Sequence, residues 1–589
     1  MPFAYSLRWL LAVAGLWPAL LLAQAERPNI VLILADDLGF SDIASYGSEI
    51  QTPTLSALAE TGISFTNYHT AASCAPTRGM MLTGVDSHRN GVPNIPETIP
   101  PELAQHENYR GTLSHGVVTV ASLLQDAGYH TYMAGKWHLG QSPDLLPIRR
   151  GFERTITMAD TGADNWQQKP YLPIYERANW YADGERTTLP EDFYSSRFLV
   201  DKMIDFIDSK RADQKPFFAY LPFQAVHIPV QAPLEFTDKY MGVYDAGWTA
   251  LREQRRNRAV ELGLVPATAG MVAMSTTNDW DAYTEEEQRY HAKRMAVYAG
   301  MVDAMDYHIG RLVEYLKSTG QYDNTLFIFT SDNGSEASGG DDVRSPLMRL
   351  SLRMNDYTND YDTLGLKGSF NTIGPSFASA AAGPLAYYKF YAGEGGMRVP
   401  LIIAGESLPV QCEWTRAFAY VMDIAPTILE LTGVNPPGRY YGGHPVQPMT
   451  GRSLLPLATG AADRVYTETD SVGYELAGNA ALFQGDYKLV RNYLPVGDNR
   501  WHLYNIATDP GETQDLSEAM PERFALMQTL YADYAADNGV LPLPEGYDPV
   551  FQGVANGLRE RFGLHILLGV LLMLTLLPLY FVHRALRRK

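Results

Sequence analysis

Cysteine is nearly absent: among 589 residues only Cys74 and Cys412 carry a thiol. At most one disulfide can form, so no disulfide framework holds this chain together. A cysteine-rich zinc site is excluded on the same count. Positive charge is also scarce, with 47 Lys and Arg against 66 Asp and Glu, a formal net charge of −19. That balance argues against a nucleic-acid-binding surface, which is usually basic, but it leaves room for a small cationic pocket. No internal repeat is visible, so a solenoid or propeller is not indicated. What remains is an ordinary globular composition, 46% hydrophobic, on a chain long enough for more than one core.

Both ends carry targeting features. Residues 1–25 place one basic residue, Arg8, before an apolar run, and end in Ala23-Gln24-Ala25 ahead of Glu26. This is the layout of a cleaved secretory signal. Residues 562–582 contain no Asp, Glu, Lys or Arg, and as a helix would span about 30 Å, the thickness of a bilayer core. Basic residues 583–589 follow, including Arg584, Arg587, Arg588 and Lys589. By the positive-inside rule that tail is cytoplasmic and the body lies outside. The expectation is an exported protein, periplasmic or on the outer face of the inner membrane, tethered by a C-terminal transmembrane helix.

Between the ends the pattern alternates strand and helix. Buried strands are expected at 29–34, 129–134, 216–221 and 325–330, with helices at 118–127, 197–210 and 287–318. That alternation predicts an α/β fold: a large mixed, mostly parallel sheet sandwiched by helices on both faces. The stretches 232–285 and 335–377 read as irregular insertions. Beyond residue 405 a helix at 419–432 gives way to shorter alternating stretches. The expected division is a large domain at 26–404, a smaller α+β domain at 405–545, and a linker at 546–561.

Open α/β sheets bind ligands at the carboxyl ends of their strands. Two predicted strands end there in acidic pairs, Asp36-Asp37 and Asp332-Asn333. Four oxygen side chains at one edge suit a hard cation, Ca²⁺ or Mg²⁺, better than Zn²⁺. Each pair alone could equally cap a helix or form a turn. Lys136, His138, His227 and Lys389 follow other predicted strands or turns, and Arg78 lies four residues after Cys74. A metal with several cations suits a tetrahedral anion whose charge grows during reaction. Cys74 itself is open to two readings from its surroundings: a small buried hydrophobe, or a thiolate nucleophile beside Arg78. The Cys-x5-Arg loop of cysteine phosphatases does not fit, because residue 80 is Met.

The segment Cys74-Ala75-Pro76-Thr77-Arg78, with Leu82-Thr83-Gly84 after it, resembles the sulfatase signature. So, in the family's order, do PNIVLILADDLG, GKWHLG, AVHIP, TSDNG, EGGMRVP, DIAPTILELTG and WHLYNIATDPGETQDL. The resemblance covers nearly the whole mature chain, and is greatest to bacterial arylsulfatases of the alkaline-phosphatase superfamily. It implies that Cys74 is oxidised to Cα-formylglycine by a maturation enzyme. It further implies that Asp36, Asp37, Asp332 and Asn333, with the modified Cys74, bind a metal, Ca²⁺ in preference to Mg²⁺. One hydroxyl of the aldehyde hydrate would attack sulfur and the other would then expel sulfate. Arg78 and Lys136 would stabilise the hydrate, His138 would assist proton removal, and His227 and Lys389 would contact the sulfate and leaving oxygen, with His227 the general acid. One departure is Gly393, where related enzymes often carry histidine before Glu-Gly-Gly. The implied activity is hydrolysis of small sulfate monoesters, aryl sulfates among them. A phosphonate monoester or phosphodiester hydrolase of the same superfamily is the alternative, and a non-catalytic binding protein on this scaffold is a remote one.

Overall fold

The structure is a computed structural model that describes residues 27–171, 175–339, 350, 352–406, 408 and 413–586, with side chains at 564–571 and 578–586 outside the description. The expected signal segment, Cys412 and residues 587–589 of the basic tail lie outside the described residues.

One ten-stranded sheet organises the molecule. Its strands in chain order are β1 (Asn29–Ala35), β2 (Gly62–Phe65), β3 (His130–Lys136), β4 (Arg154–Met158), β5 (Trp180–Ala182), β6 (Glu185–Arg186), β7 (Phe217–Pro222), β8 (Thr325–Ser331), β9 (Leu401–Ala404) and β10 (Glu413–Thr415). Across the sheet they run β10-β2-β9-β8-β1-β7-β3-β4-β5-β6. The stretch β8-β1-β7-β3-β4 is parallel throughout, and antiparallel pairs flank it at β9 and β5. The sheet is therefore mixed with a parallel centre.

Period-two side-chain alternation in β1 divides two cores. Val31 and Ile33 join the core that includes Met295, Val302 and Met305 of the long helix Glu285–Ser318. Ile30, Leu32 and Leu34 join the core on the other face, with Met80, Met81 and Leu82 of the helix α1 (Cys74–Thr83). All five β1 side chains are fully buried, each contributing about 2 kcal/mol of transfer free energy. A four-stranded antiparallel sheet formed by Ser471–Leu476, Asn479–Gln484, Tyr487–Arg491 and His502–Asn505 follows. The helix Pro521–Asn538 packs on it through Met527 and Tyr531.

Three expectations change. The stretch 232–285 is not wholly irregular, since Gly247–Glu261 is helical. Its polarity conceals a buried anchor: Arg255 pairs with Asp42 and with Glu49, 2.8 Å away. The helix expected from 419 starts at Ile424, because Ala419–Tyr420 pairs instead with Tyr68–His69. The transmembrane helix at 562–582 is not supported: among the described residues no helix is long and apolar enough to cross a membrane. The apolar run belongs to a longer helix, Pro549–Leu586, which begins inside the expected linker and carries Arg559, Glu560 and Arg561 along its course. Its first turns bind the body, Asn556 Nδ2 donating to the carbonyls of Glu97 and Ile99 at 2.9 Å. Tethering by that helix is therefore not supported.

Candidate active site

Parallel pairing of β1 with β8 sets the site. Ala35 lies opposite Ser331, so Asp36-Asp37 and Asp332-Asn333 leave the carboxyl edge side by side. Asp37 turns back with φ of 65°, and its amide donates to Asp332 Oδ1 at 3.1 Å. The Asn333 amide group donates to Asp37 Oδ1 at 2.7 Å. Gly334 is required here by close approach, for a Cβ would sit 1.8 Å from the Gly395 carbonyl.

Cys74 opens α1 and Arg78 follows one turn later, so both face the same edge. Both are fully buried. Cys74 Sγ lies 3.7 Å from Asp37 Oδ1. Arg78 donates to Asp332 Oδ2 from Nε at 2.9 Å and Nη2 at 2.7 Å, and to the Lys136 carbonyl at 2.8 Å. Lys136, the last residue of β3, donates to both oxygens of Asp36 at 2.8 and 2.6 Å. Lys389 bridges Asp37 Oδ1 at 2.7 Å and Glu336 Oε2 at 2.8 Å. His227 Nδ1 donates to the Ile228 carbonyl at 2.6 Å, which turns Nε2 toward Asp37 Oδ2, 3.7 Å away. His138, also in the left-handed region at φ 58°, meets Glu97 rather than the other expected residues, Nε2 to Oε2 3.6 Å.

Electrostatics follow from this crowding. Burial, and after it the Asp332 carboxylate, pushes Asp36 up, whereas Arg78 holds Asp332 down against its own burial. Burial and the neighbouring Asp332 push the Cys74 thiol well above its ordinary range, which works against a thiolate there. Burial, reinforced by Lys136 and Lys389, drives His227 far down.

A divalent cation fits this donor set. Asp36, Asp37, Cys74 and His227 each offer a ligand atom, all within 4.8 Å of one another. Buried Asp37 Oδ2 and Asn333 Oδ1 have no hydrogen-bond partner, an expensive condition that a hard cation would relieve. Counting Asn333, three of these five donors are oxygen, which a hard cation such as Ca²⁺ or Mg²⁺ can use.

The site also holds residues that sequence reasoning missed. Glu336 lies four residues after Asp332 and could have been flagged as a second acid of the same loop. Glu97 and Tyr171, whose ring stands edge-on to His227 at 5.6 Å, carry no local signal. The departure at Gly393 has a steric cause: a Cβ there would lie 2.4 Å from the Tyr387 ring and 2.7 Å from the Ala386 carbonyl. Tyr387 occupies the space a histidine would need.

This arrangement agrees with the comparisons. The sulfatase family model matches residues 28–434. An uncharacterized sulfatase of Schizosaccharomyces pombe is 36% identical over 89% of this chain and 96% of its own. The arylsulfatase of Klebsiella aerogenes is 37% identical over 74% of this chain and 93% of its own. Among solved structures, Ps i-CgsB shares the fold with a TM-score of 0.62 at 23% identity, covering 91% of this chain and 98% of that one. The chain belongs to the sulfatase family.

Proposed function

We propose that this sulfatase hydrolyses aryl sulfates, with formylglycine formed from Cys74 and Ca²⁺ as the bound ion. The observation that carries the reading is the convergence of Cys74, Asp36, Asp37, Asp332, Asn333, Arg78, Lys136 and Lys389 at one buried edge. A formylglycine hydrate at position 74 supplies one hydroxyl for attack on sulfur and a second for releasing sulfate. The ion, held by Asp36, Asp37, Asp332 and Asn333, supplies a positive charge beside the sulfate oxygens.

The chain's own residues do the rest. Arg78 and Lys136 orient the residue-74 side chain. Lys389 neutralises charge at the leaving oxygen, and His227 Nε2 delivers a proton there once the substrate's negative charge has raised the affinity of the ring for one. His138 takes the proton whose removal frees sulfate. Charge balance favours a monoanionic substrate. Asp36, Asp37, Asp332 and Glu336 against Arg78, Lys136 and Lys389 leave one net negative charge. A divalent ion reverses its sign, and a sulfate monoester then brings the site to neutrality. A phosphate monoester dianion would not. Phosphodiesters and phosphonate monoesters are monoanions too, so only turnover separates them. Because Cys74 is fully buried, its oxidation must precede folding, which requires a maturation enzyme that reads the unfolded segment.

The test pairs mass spectrometry of the Cys74 peptide with a panel of 4-nitrophenyl sulfate, an alkyl sulfate, an aryl phosphonate monoester and a phosphodiester. Formylglycine mass with highest kcat/KM on the aryl sulfate is expected. An intact thiol in fully active enzyme, or preference for a phosphorus ester, overturns the proposal.

A further inference from the structure

His138 is placed among the reacting groups, yet both its ring nitrogens are buried without a hydrogen-bond partner. The group that faces it is Glu97, whose Oε2 is likewise buried and unpartnered, 3.6 Å from His138 Nε2. Such gaps between catalytic groups in a substrate-free site commonly close when substrate binds. Glu97 is itself fixed from two sides. Tyr175 OH donates to its Oε1 at 3.1 Å. Its carbonyl accepts from Asn556 Nδ2 at 2.9 Å, while Tyr547 OH donates to the adjacent Thr98 carbonyl at 2.9 Å. Residues near the start of the C-terminal helix thus hold the loop that carries Glu97.

We infer that Glu97 is a positioning residue for His138, and that the C-terminal helix holds Glu97 in place through Asn556. The inference rests on the proposed role of His138. Glu97 accepts the Nε2 proton, which leaves Nδ1 as the free lone pair that takes the proton during sulfate release. A carboxylate on the far nitrogen also makes the ring a stronger base. Burial lowers the affinity of His138 for a proton, Glu97 raises it, and Lys136 and Arg78 lower it. Around Glu97 itself stand Tyr175, Tyr171 and Asp160, with Glu560 of the C-terminal helix beyond Asp160.

The experiment compares Glu97→Gln, His138→Ala, the double variant and Asn556→Ala in the full chain, through pH profiles of kcat and KM on 4-nitrophenyl sulfate. Glu97→Gln keeps an acceptor for Tyr175 and removes the charge. Its kcat is expected to fall about 10- to 100-fold with KM nearly unchanged. The acidic limb of its profile moves to lower pH, because the histidine loses the group that raised its proton affinity. In the His138→Ala background the same change adds nothing further. Asn556→Ala, which spares the carboxylate, lowers kcat by a smaller factor without moving the limb. Wild-type kcat and pH profile in Glu97→Gln, beside a crippled His138→Ala, overturns this inference alone. Full turnover in His138→Ala overturns the proposed role of His138 and this inference with it. Should Glu97→Gln not fold, Glu97→Asp decides on the same readouts: a lower kcat with the limb nearly in place supports the inference, and wild-type kcat overturns it.

Discussion

Among the described residues, two of the buried charge clusters balance their charges differently. At the active site Asp37 Oδ2 and Asn333 Oδ1 have no hydrogen-bond partner. The second cluster sits where the large sheet meets the C-terminal sheet, around Glu394 and Lys488. There Glu394 Oε1 meets Lys488 Nζ at 2.9 Å and His69 Nε2 at 3.1 Å, and its Oε2 meets His69 Nε2 at 3.0 Å and Arg398 at 3.5 Å. Glu512 pairs Lys488 through Oε1 at 2.9 Å and accepts the Glu394 amide on Oε2 at 3.0 Å. Two carboxylates there face two permanent cations, Lys488 and Arg398, although Glu512 Oε1, an ion-pair partner of Lys488, and His69 Nδ1 make no hydrogen bond. The joint thus balances its carboxylates, whereas the site sets four, Asp36, Asp37, Asp332 and Glu336, against three cations, Arg78, Lys136 and Lys389. On the proposed function the surplus carboxylate at the site is there for a cation, and the balanced charge at the joint for the fold.

The largest effect expected from breaking this contrast is chemical. Cys74→Ala should lower kcat/KM by at least about 10⁴-fold while the denaturation midpoint stays put. Asp37→Asn should likewise abolish turnover, and in ion-free protein its stability should change little, since repulsion among Asp36, Asp37 and Asp332 falls while Lys389 keeps Glu336 as a partner. A cooperative unfolding loss in either variant would show the site to be structural after all. At the joint the signs reverse. Lys488→Met strands Glu394 and Glu512 beside each other, and should cost about 3–5 kcal/mol of folding free energy. Turnover per folded molecule should stay unchanged, because Lys488 touches no group at the site. Urea denaturation and active-site titration read the two quantities separately.

The sequence showed one of these clusters far better than the other. Strand-end acids, and the lysines and histidines after strands, follow from how open α/β sheets place ligands, whereas Cys74 entered through the resemblance of its Cys-Ala-Pro-Thr-Arg segment to the sulfatase signature. The structure brings nearly all of them together. Glu394 was visible only as part of EGGMRVP, and nothing local tells that its partners are His69 and Lys488, 325 and 94 residues away. Long-range pairing of that kind leaves no periodic trace. The same blindness hid Glu97 from His138. The apolar run at 562–582 read as a span from its hydropathy alone, whereas among the described residues no helix is long and apolar enough to cross a membrane.

Removing the metal should sharpen the comparison on a smaller scale. Chelation is expected to abolish activity and to lower stability by about 4 kcal/mol relative to enzyme with free ion near a thousand times Kd. Ca²⁺ should restore both, and Mg²⁺ should restore them less well. Lys488→Met, damaged only at the joint, should show the same chelation increment. An increment that vanishes in that variant would mean that the two clusters share one cooperative network.

The smallest effect concerns a second contact across the joint. His88, fully buried, bonds Glu475 Oε2 through Nε2 at 2.9 Å and has Asp86 beside Nδ1 at 3.7 Å. Burial alone would lower its pKa, but the hydrogen bonds and charges of Asp86 and Glu475 raise it to about 9. A group raised in the folded state stabilises fully below its unfolded pKa, near 6.5, and that stability is lost as pH rises through 9. The contribution is at most about 3 kcal/mol. The difference in unfolding free energy between wild type and His88→Gln should therefore be largest at pH 6 and nearly gone by pH 10. Other titrating groups cancel in that difference, so it isolates the pair. A difference that does not change with pH would show that His88 holds the joint as a neutral ring, by packing and hydrogen bonding alone.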